Sequence, residues 1–119
     1  MAVLTKLPYP EIVAELKSLS GWTYWNGSLM KTFDFRNFGE VTRFMVKIKA
    51  FCGSAQHYPQ IIIQPSKNSD EVSVKITTTT FAAGSEVTTL DIQMAQALNK
   101  GALEIEITPD SDYQIDQIR

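Results

Sequence analysis

The proton chemistry open to this chain converges on one residue. His57 is its only histidine and sits in the run Ala55-Gln56-His57-Tyr58-Pro59. Imidazole is the one side chain that exchanges protons near neutral pH without special tuning. A second imidazole beside it would favour a two-proton site, but the neighbour is Tyr58. A phenol ionises only at about pH 10, so it gives up its proton reluctantly and is a poor base near neutrality. Cys52 is the only cysteine; no intrachain disulfide can form, and a small buried apolar role on a helix fits it better than a nucleophilic one. One histidine and one cysteine are too few for a zinc site, so no metal is expected. Asp91 has a sufficient structural role three residues after Thr88, as half of a helix capping box. The four threonines Thr77–Thr80 are ordinary strand material. Trp22, Tyr24 and Trp25 read as cover for one side of a small sheet rather than as a binding platform.

The elements that must position these residues follow from periodicity. At 119 residues, with 44% hydrophobic and 20% charged composition, the chain reads as one domain, 1–119, with a core of its own. A formal charge of -2 gives no electrostatic case for nucleic acid. The start MAVLTKLPYP does not resemble a signal peptide, and no apolar run approaches a membrane span. These features together imply a cytoplasmic protein. Residues 1–9 read as an arm. Ile12, Val13, Leu16 and Leu19 then share a helical face that opens at Pro10 and is stopped by Gly21. Asn26-Gly27 between two strand-like runs signals a hairpin, the second strand running from Ser28 to Phe35. Asn37, with Glu40 three residues on, caps a long helix whose stripe includes Phe38, Val41, Phe44, Met45, Ile48 and Cys52. That helix must end before Pro59, which leaves His57 at or just past its C-terminus.

Ile61–Ile63 start a third strand. Val72, Val74 and Ile76 alternate into the threonine run as a fourth. Thr88 caps a last helix closed by Gly101. Leu103, Ile105 and Ile107 alternate with Glu104 and Glu106, which predicts a short added strand. The segment 109–119 reads as a polar, flexible tail. The order α-β-β-α-β-β-α, with that C-terminal strand, predicts an α+β two-layer sandwich: a four-stranded antiparallel sheet with three helices on one face.

Several of these residues, in this order, resemble the pterin-4a-carbinolamine dehydratases from about Ile12 to Asn99. Gly21-Trp22 matches a Gly-Trp after the first helix. Phe33-Asp34-Phe35-Arg36-Asn37-Phe38 matches the entry to the long helix, and Phe44-Met45 falls at the right place within it. His57-Tyr58-Pro59 matches a His-His-Pro motif; Val72 to Thr78 matches the strand that ends in Thr-His; Thr88, Asp91 and Ala95 match the start of the last helix. The resemblance implies a pocket formed around His57, Tyr58, Pro59, Thr78 and Thr79, with His57 as a residual acid–base group and no cofactor. The departures fall on the chemistry. Where the family places three histidines, this chain has His57, Tyr58 and Thr79. Ile61 stands where an aromatic residue is expected, and Gly53 where a glutamate is frequent.

Dehydrating a carbinolamine requires an acid for the leaving oxygen and a base for the ring nitrogen, and losing such groups costs about 10²–10⁴-fold each. The expectation is therefore a dehydratase-like protein with lost or weak catalysis that acts by binding another protein. Relatives in this family serve as dimerisation cofactors of a homeodomain transcription factor or as Rubisco assembly factors associated with α-carboxysomes, and Rubisco is the favoured client by analogy. The alternatives are a working divergent dehydratase, with Tyr58 and Thr79 as orienting hydroxyls, and a protein that binds a pterin without turnover. The family also implies a homodimer or homotetramer and no direct contact with nucleic acid or membrane.

Overall fold

A computed structural model describes residues 4–108. The expected tail at 109–119 and the first three residues of the arm lie outside the described residues. Along the chain run α1 (Tyr9–Leu16), β1 (Thr23–Trp25), β2 (Ser28–Phe35), α2 (Phe38–Ala55), β3 (Gln60–Pro65), β4 (Val72–Thr78), a 3-10 turn (Phe81–Ala83) and α3 (Thr89–Ile107). The sheet is antiparallel, in the order β1-β2-β4-β3. Its inner face carries Leu29, Phe33 and Phe35 from β2 and Val72, Val74 and Ile76 from β4, all buried against the helices. The outer face is open: Thr32, Asp34 and Lys75 are exposed on it. This is the α+β arrangement that the alternation of residues predicts.

The local reasons are visible residue by residue. Asn26 and Gly27 both have positive φ, 49° and 85°, as a type I′ turn requires. A Cβ on Gly27 would sit 2.3 Å from the Ser85 carbonyl oxygen, so glycine also lets the loop after β4 cross the hairpin closely. Asn37 caps α2 by accepting from the Glu40 amide at 2.9 Å. The Glu40 carboxylate reaches one residue further back than a capping box requires, accepting from the Arg36 amide at 2.8 Å and from its guanidinium. Phe44, fully buried, packs its ring 4.8 Å from Phe33 and 4.9 Å from Phe35, centroid to centroid. Removing such a ring typically costs about 3–5 kcal/mol.

Three sequence expectations fail. α1 ends at Leu16 rather than at Gly21; a series of turns carries the chain on to Gly21, whose φ is 83°. Nor is there a strand at Leu103–Ile107: α3 continues to Ile107. Gly101 does not close that helix. It lies inside it, where a Cβ would come within 2.8 Å of the Lys47 side chain on α2, so the glycine serves close helix packing. The buried stripe Met94, Leu98, Gly101, Ile105 has helical spacing and overrides the alternation of Ile and Glu.

Lys31 lies on the inner side of β2. Its Nζ donates to the Ser20 carbonyl and to Asn99 Oδ1, both at 2.8 Å, and sits 4.6 Å from the Phe33 ring centroid. Burial holds its pKa below the ordinary lysine value. The folded chain therefore binds this proton less tightly than the unfolded chain. The resulting penalty is full below the folded pKa and is relieved as pH rises toward the unfolded value. In paired denaturant titrations, the stability of the native chain relative to Lys31→Met should accordingly shift in favour of the native chain between about pH 7 and pH 10. A constant difference, or one that moves the other way, contradicts a desolvated ammonium here.

Candidate functional site

The site forms where the end of β4, the start of α3 and the residue after α2 meet. The alternation of β4 divides the threonine run between two environments. Thr78 and Thr80 point inward and are buried, while Thr77 and Thr79 face the open side and are half-buried. α2 ends at Ala55, and Gln56 takes a left-handed conformation (φ 52°) with its amide bonded to the Cys52 carbonyl at 2.8 Å. That reversal turns His57 into the protein, where it is 7% exposed, while Tyr58 beside it is 65% exposed.

Asp91, in the first turn of α3, is fully buried and organises the interior half of the site. Its Oδ1 accepts from the Thr78 hydroxyl at 2.5 Å and from His57 Nε2 at 2.8 Å. Its Oδ2 accepts from the Thr80 hydroxyl at 2.7 Å and from the Thr88 amide at 2.9 Å. The second of these completes the expected capping box with Thr88. The Thr78 hydroxyl spends its proton on Asp91, so in its 2.9 Å contact with His57 Nε2 it can only accept. Nε2 must therefore carry hydrogen, shared between Asp91 Oδ1 and Thr78 Oγ1. That fixes the imidazole as the Nε2–H tautomer and leaves Nδ1 as the nitrogen that can gain or lose a proton. A carboxylate behind an imidazole orients the ring.

The open side holds a depression of about 520 Å³ lined by Ser28, Tyr58, Pro59, Gln60, Thr77, Thr79 and Phe81. Phe81 stands 76% exposed at its wall. Its wall combines apolar surface with a few hydroxyls and an amide, the usual make-up of a small-molecule site. The Thr79 hydroxyl donates to the Gly27 carbonyl at 2.7 Å, so toward a ligand it offers lone pairs only. Of the residues expected to share one pocket, Tyr58, Pro59 and Thr79 line this depression. His57 and Thr78 do not: they belong to the buried network behind it. Among the described residues no cluster of three or more His, Cys, Asp or Glu is placed to hold a metal, and no helix is long and apolar enough to cross a membrane.

Sequence reasoning missed the link from Asp91 to His57. It saw only the local half of the aspartate's role, since the Thr88–Asp91 spacing marks a cap but nothing local marks a partner 34 residues away. It also missed Ser28, Gln60, Thr77 and Phe81 as wall residues. The period-two partnership of Thr77 with Thr79, and the Gln60–Thr77 pairing that follows from the strand register, were the available signals.

Asp91→Asn should destabilise the fold by about 2–4 kcal/mol, because the new amide must face either His57 Nε2–H and Thr78 or Thr80 and the Thr88 amide, donor against donor. Urea unfolding measures this. A loss below about 0.5 kcal/mol, the range of an ordinary surface change, would remove Asp91 from its central place.

The comparisons with known proteins agree with this architecture. The pattern of the family described as pterin 4 alpha carbinolamine dehydratase matches residues 5–101. A protein from Sulfolobus acidocaldarius named "Putative pterin-4-alpha-carbinolamine dehydratase" is 34% identical over 95 residues, spanning 80% of this chain and 97% of its own length. A protein of the same name from Nostoc punctiforme is 37% identical over 90 residues, 76% of this chain and 89% of that one. Among solved structures, a transcriptional coactivator/pterin dehydratase from Brucella melitensis superposes with a TM-score of 0.69 at 25% identity, covering 82% of this chain and 99% of its own. With its sheet order, its helices and nearly its whole described length accounted for by these relatives, the chain belongs to the pterin 4 alpha carbinolamine dehydratase family.

Proposed function

We propose that this chain keeps the ring-binding depression of its family, dehydrates a pterin carbinolamine slowly or not at all, and works chiefly by binding another protein. The observation that carries the first part is the make-up of the depression's wall. It presents a phenol, hydroxyls and an amide, and no imidazole. Water loss from a carbinolamine moves two protons at two positions, one onto the departing oxygen and one off the ring nitrogen. His57 has one nitrogen committed to Asp91 and Thr78 and so offers one proton-exchanging atom. Tyr58 and Thr79 can hold a ring by hydrogen bonds but are poor proton carriers near neutral pH.

The Brucella neighbour is described both as a coactivator and as a dehydratase, so the fold is associated with both kinds of work. For the client we keep Rubisco, on the family analogy alone; co-purification of its large subunit with this chain from its native cells tests that choice, and its absence from such preparations removes it. The second reading, a working but divergent hydro-lyase, draws on the Asp91–His57 pair, which is a competent single acid–base unit.

A dehydration assay on freshly generated carbinolamine separates the two. The native chain should run near the uncatalysed rate, and the double variant Tyr58→His/Thr79→His should gain about 10²-fold or more. A native rate far above background that His57→Ala abolishes would overturn the proposal in favour of the divergent enzyme.

A further inference from the structure

Phe81 is the most exposed of the large apolar side chains among the described residues, at 76%. Its ring contacts no other aromatic ring among them. Yet the turn that carries it is tightly held. The Thr80 amide bonds the Glu86 carbonyl at 2.9 Å, and the Thr80 carbonyl accepts from the Ala83 and Ser85 amides, both at 3.1 Å. The Gly84 amide closes the turn on the Phe81 carbonyl at 2.9 Å. The buried Thr80 hydroxyl ties the base of the turn to Asp91, and the Ser85 carbonyl rests against Gly27. None of these contacts uses the phenyl ring, so the turn itself does not call for an aromatic residue at 81.

The alternation of β4 explains where the ring stands. Thr77 and Thr79 face the open side, and Phe81 follows in the same phase. Across the strands, Gln60 pairs with Thr77, and Ser28 lies one step beyond the Leu29–Thr78 pair, opposite Thr79. These four side chains give the depression a polar floor of hydroxyls and one amide, and Tyr58, Pro59 and Phe81 complete its lining. The Tyr58 phenol can form a hydrogen bond to a ligand. Phe81 has no polar atom and can offer only its ring. A fixed phenyl gains most from a flat ring that meets it over its whole face, and less from a puckered one that touches it at a few atoms.

We infer that Phe81 is the stacking face of the depression and a specificity-determining residue, selecting a planar heteroaromatic ring over its puckered, reduced counterpart. The edge of the stacked ring turns to the floor of Ser28, Gln60, Thr77 and Thr79. Because the turn is already held, little is lost in ordering it when the ligand arrives. This rests on the ring-binding role proposed above and narrows it to the flat form of the ring.

Anaerobic calorimetric titration of the full chain tests this, with pterin as the flat probe and tetrahydropterin as the puckered one. The native chain should bind pterin at least about threefold more tightly than tetrahydropterin. Phe81→Leu keeps apolar bulk without a ring face; it should weaken pterin binding about three- to tenfold and lose the preference. Phe81→Trp should keep both the affinity and the preference. Residue 81 is exposed, so the urea midpoints of both variants should match that of the native chain. Pterin bound equally by the native chain and Phe81→Leu, or the two probes bound equally by the native chain, overturns the inference and leaves ring binding in place. A native chain that binds neither probe overturns both.

Discussion

A buried carboxylate with all its close donors supplied is the constraint on which the rest of this molecule depends. Taking an ionised carboxylate out of water costs several kcal/mol unless hydrogen bonds replace the water. Asp91 receives four such bonds, from Thr78, His57, Thr80 and the Thr88 amide. The donors come from the end of β4, the loop after it, the cap of α3 and the residue following α2. None of these segments can move alone without stranding charge or a donor. The tautomer and orientation of His57 are a consequence of this arrangement, and so is the nitrogen it has left for chemistry.

The same strand end serves two purposes because side chains alternate across a sheet. Thr78 and Thr80 complete the buried network, while Thr77 and Thr79, one residue out of phase, line the open depression. A residue at position 79 can therefore change without disturbing the interior, and so can the outward-facing residue at 58. A change at 58 leaves the buried network intact, and a change at 79 gives up only the hydrogen bond to the Gly27 carbonyl. A chain with the family's architecture and an altered wall is physically self-consistent.

How much of this the sequence made legible depends on the range of the interaction. Asn26-Gly27, the Asn37 cap, the stripe from Val41 to Cys52 and the alternation of β4 are local signals, and each led to the right element. Leu103–Ile107 misled because its alternation suits a strand over five residues; only the longer stripe from Met94 through Leu98 and Gly101 to Ile105 reveals a helix. Gly101 misled for a related reason: a glycine near a helix end suggests a stop, but here it answers to Lys47 on another helix. The Asp91–His57 contact was illegible because a cap already explains Asp91 in full, and a sufficient local reason conceals a long-range one.

The chemistry left at the depression follows from where its hydrogens are spent. Thr79 gives its proton to Gly27, and Thr78 gives its proton to Asp91. His57 commits Nε2–H to the same carboxylate. What lines the depression is a set of hydroxyls, the Gln60 amide and the Tyr58 phenol, groups that can both donate and accept, with Thr79 limited to accepting. Recognition needs fixed donors and acceptors, whereas elimination of water needs groups that change protonation state during the reaction. The proposed loss of efficient catalysis rests on this distinction, since the depression's wall offers groups of the first kind.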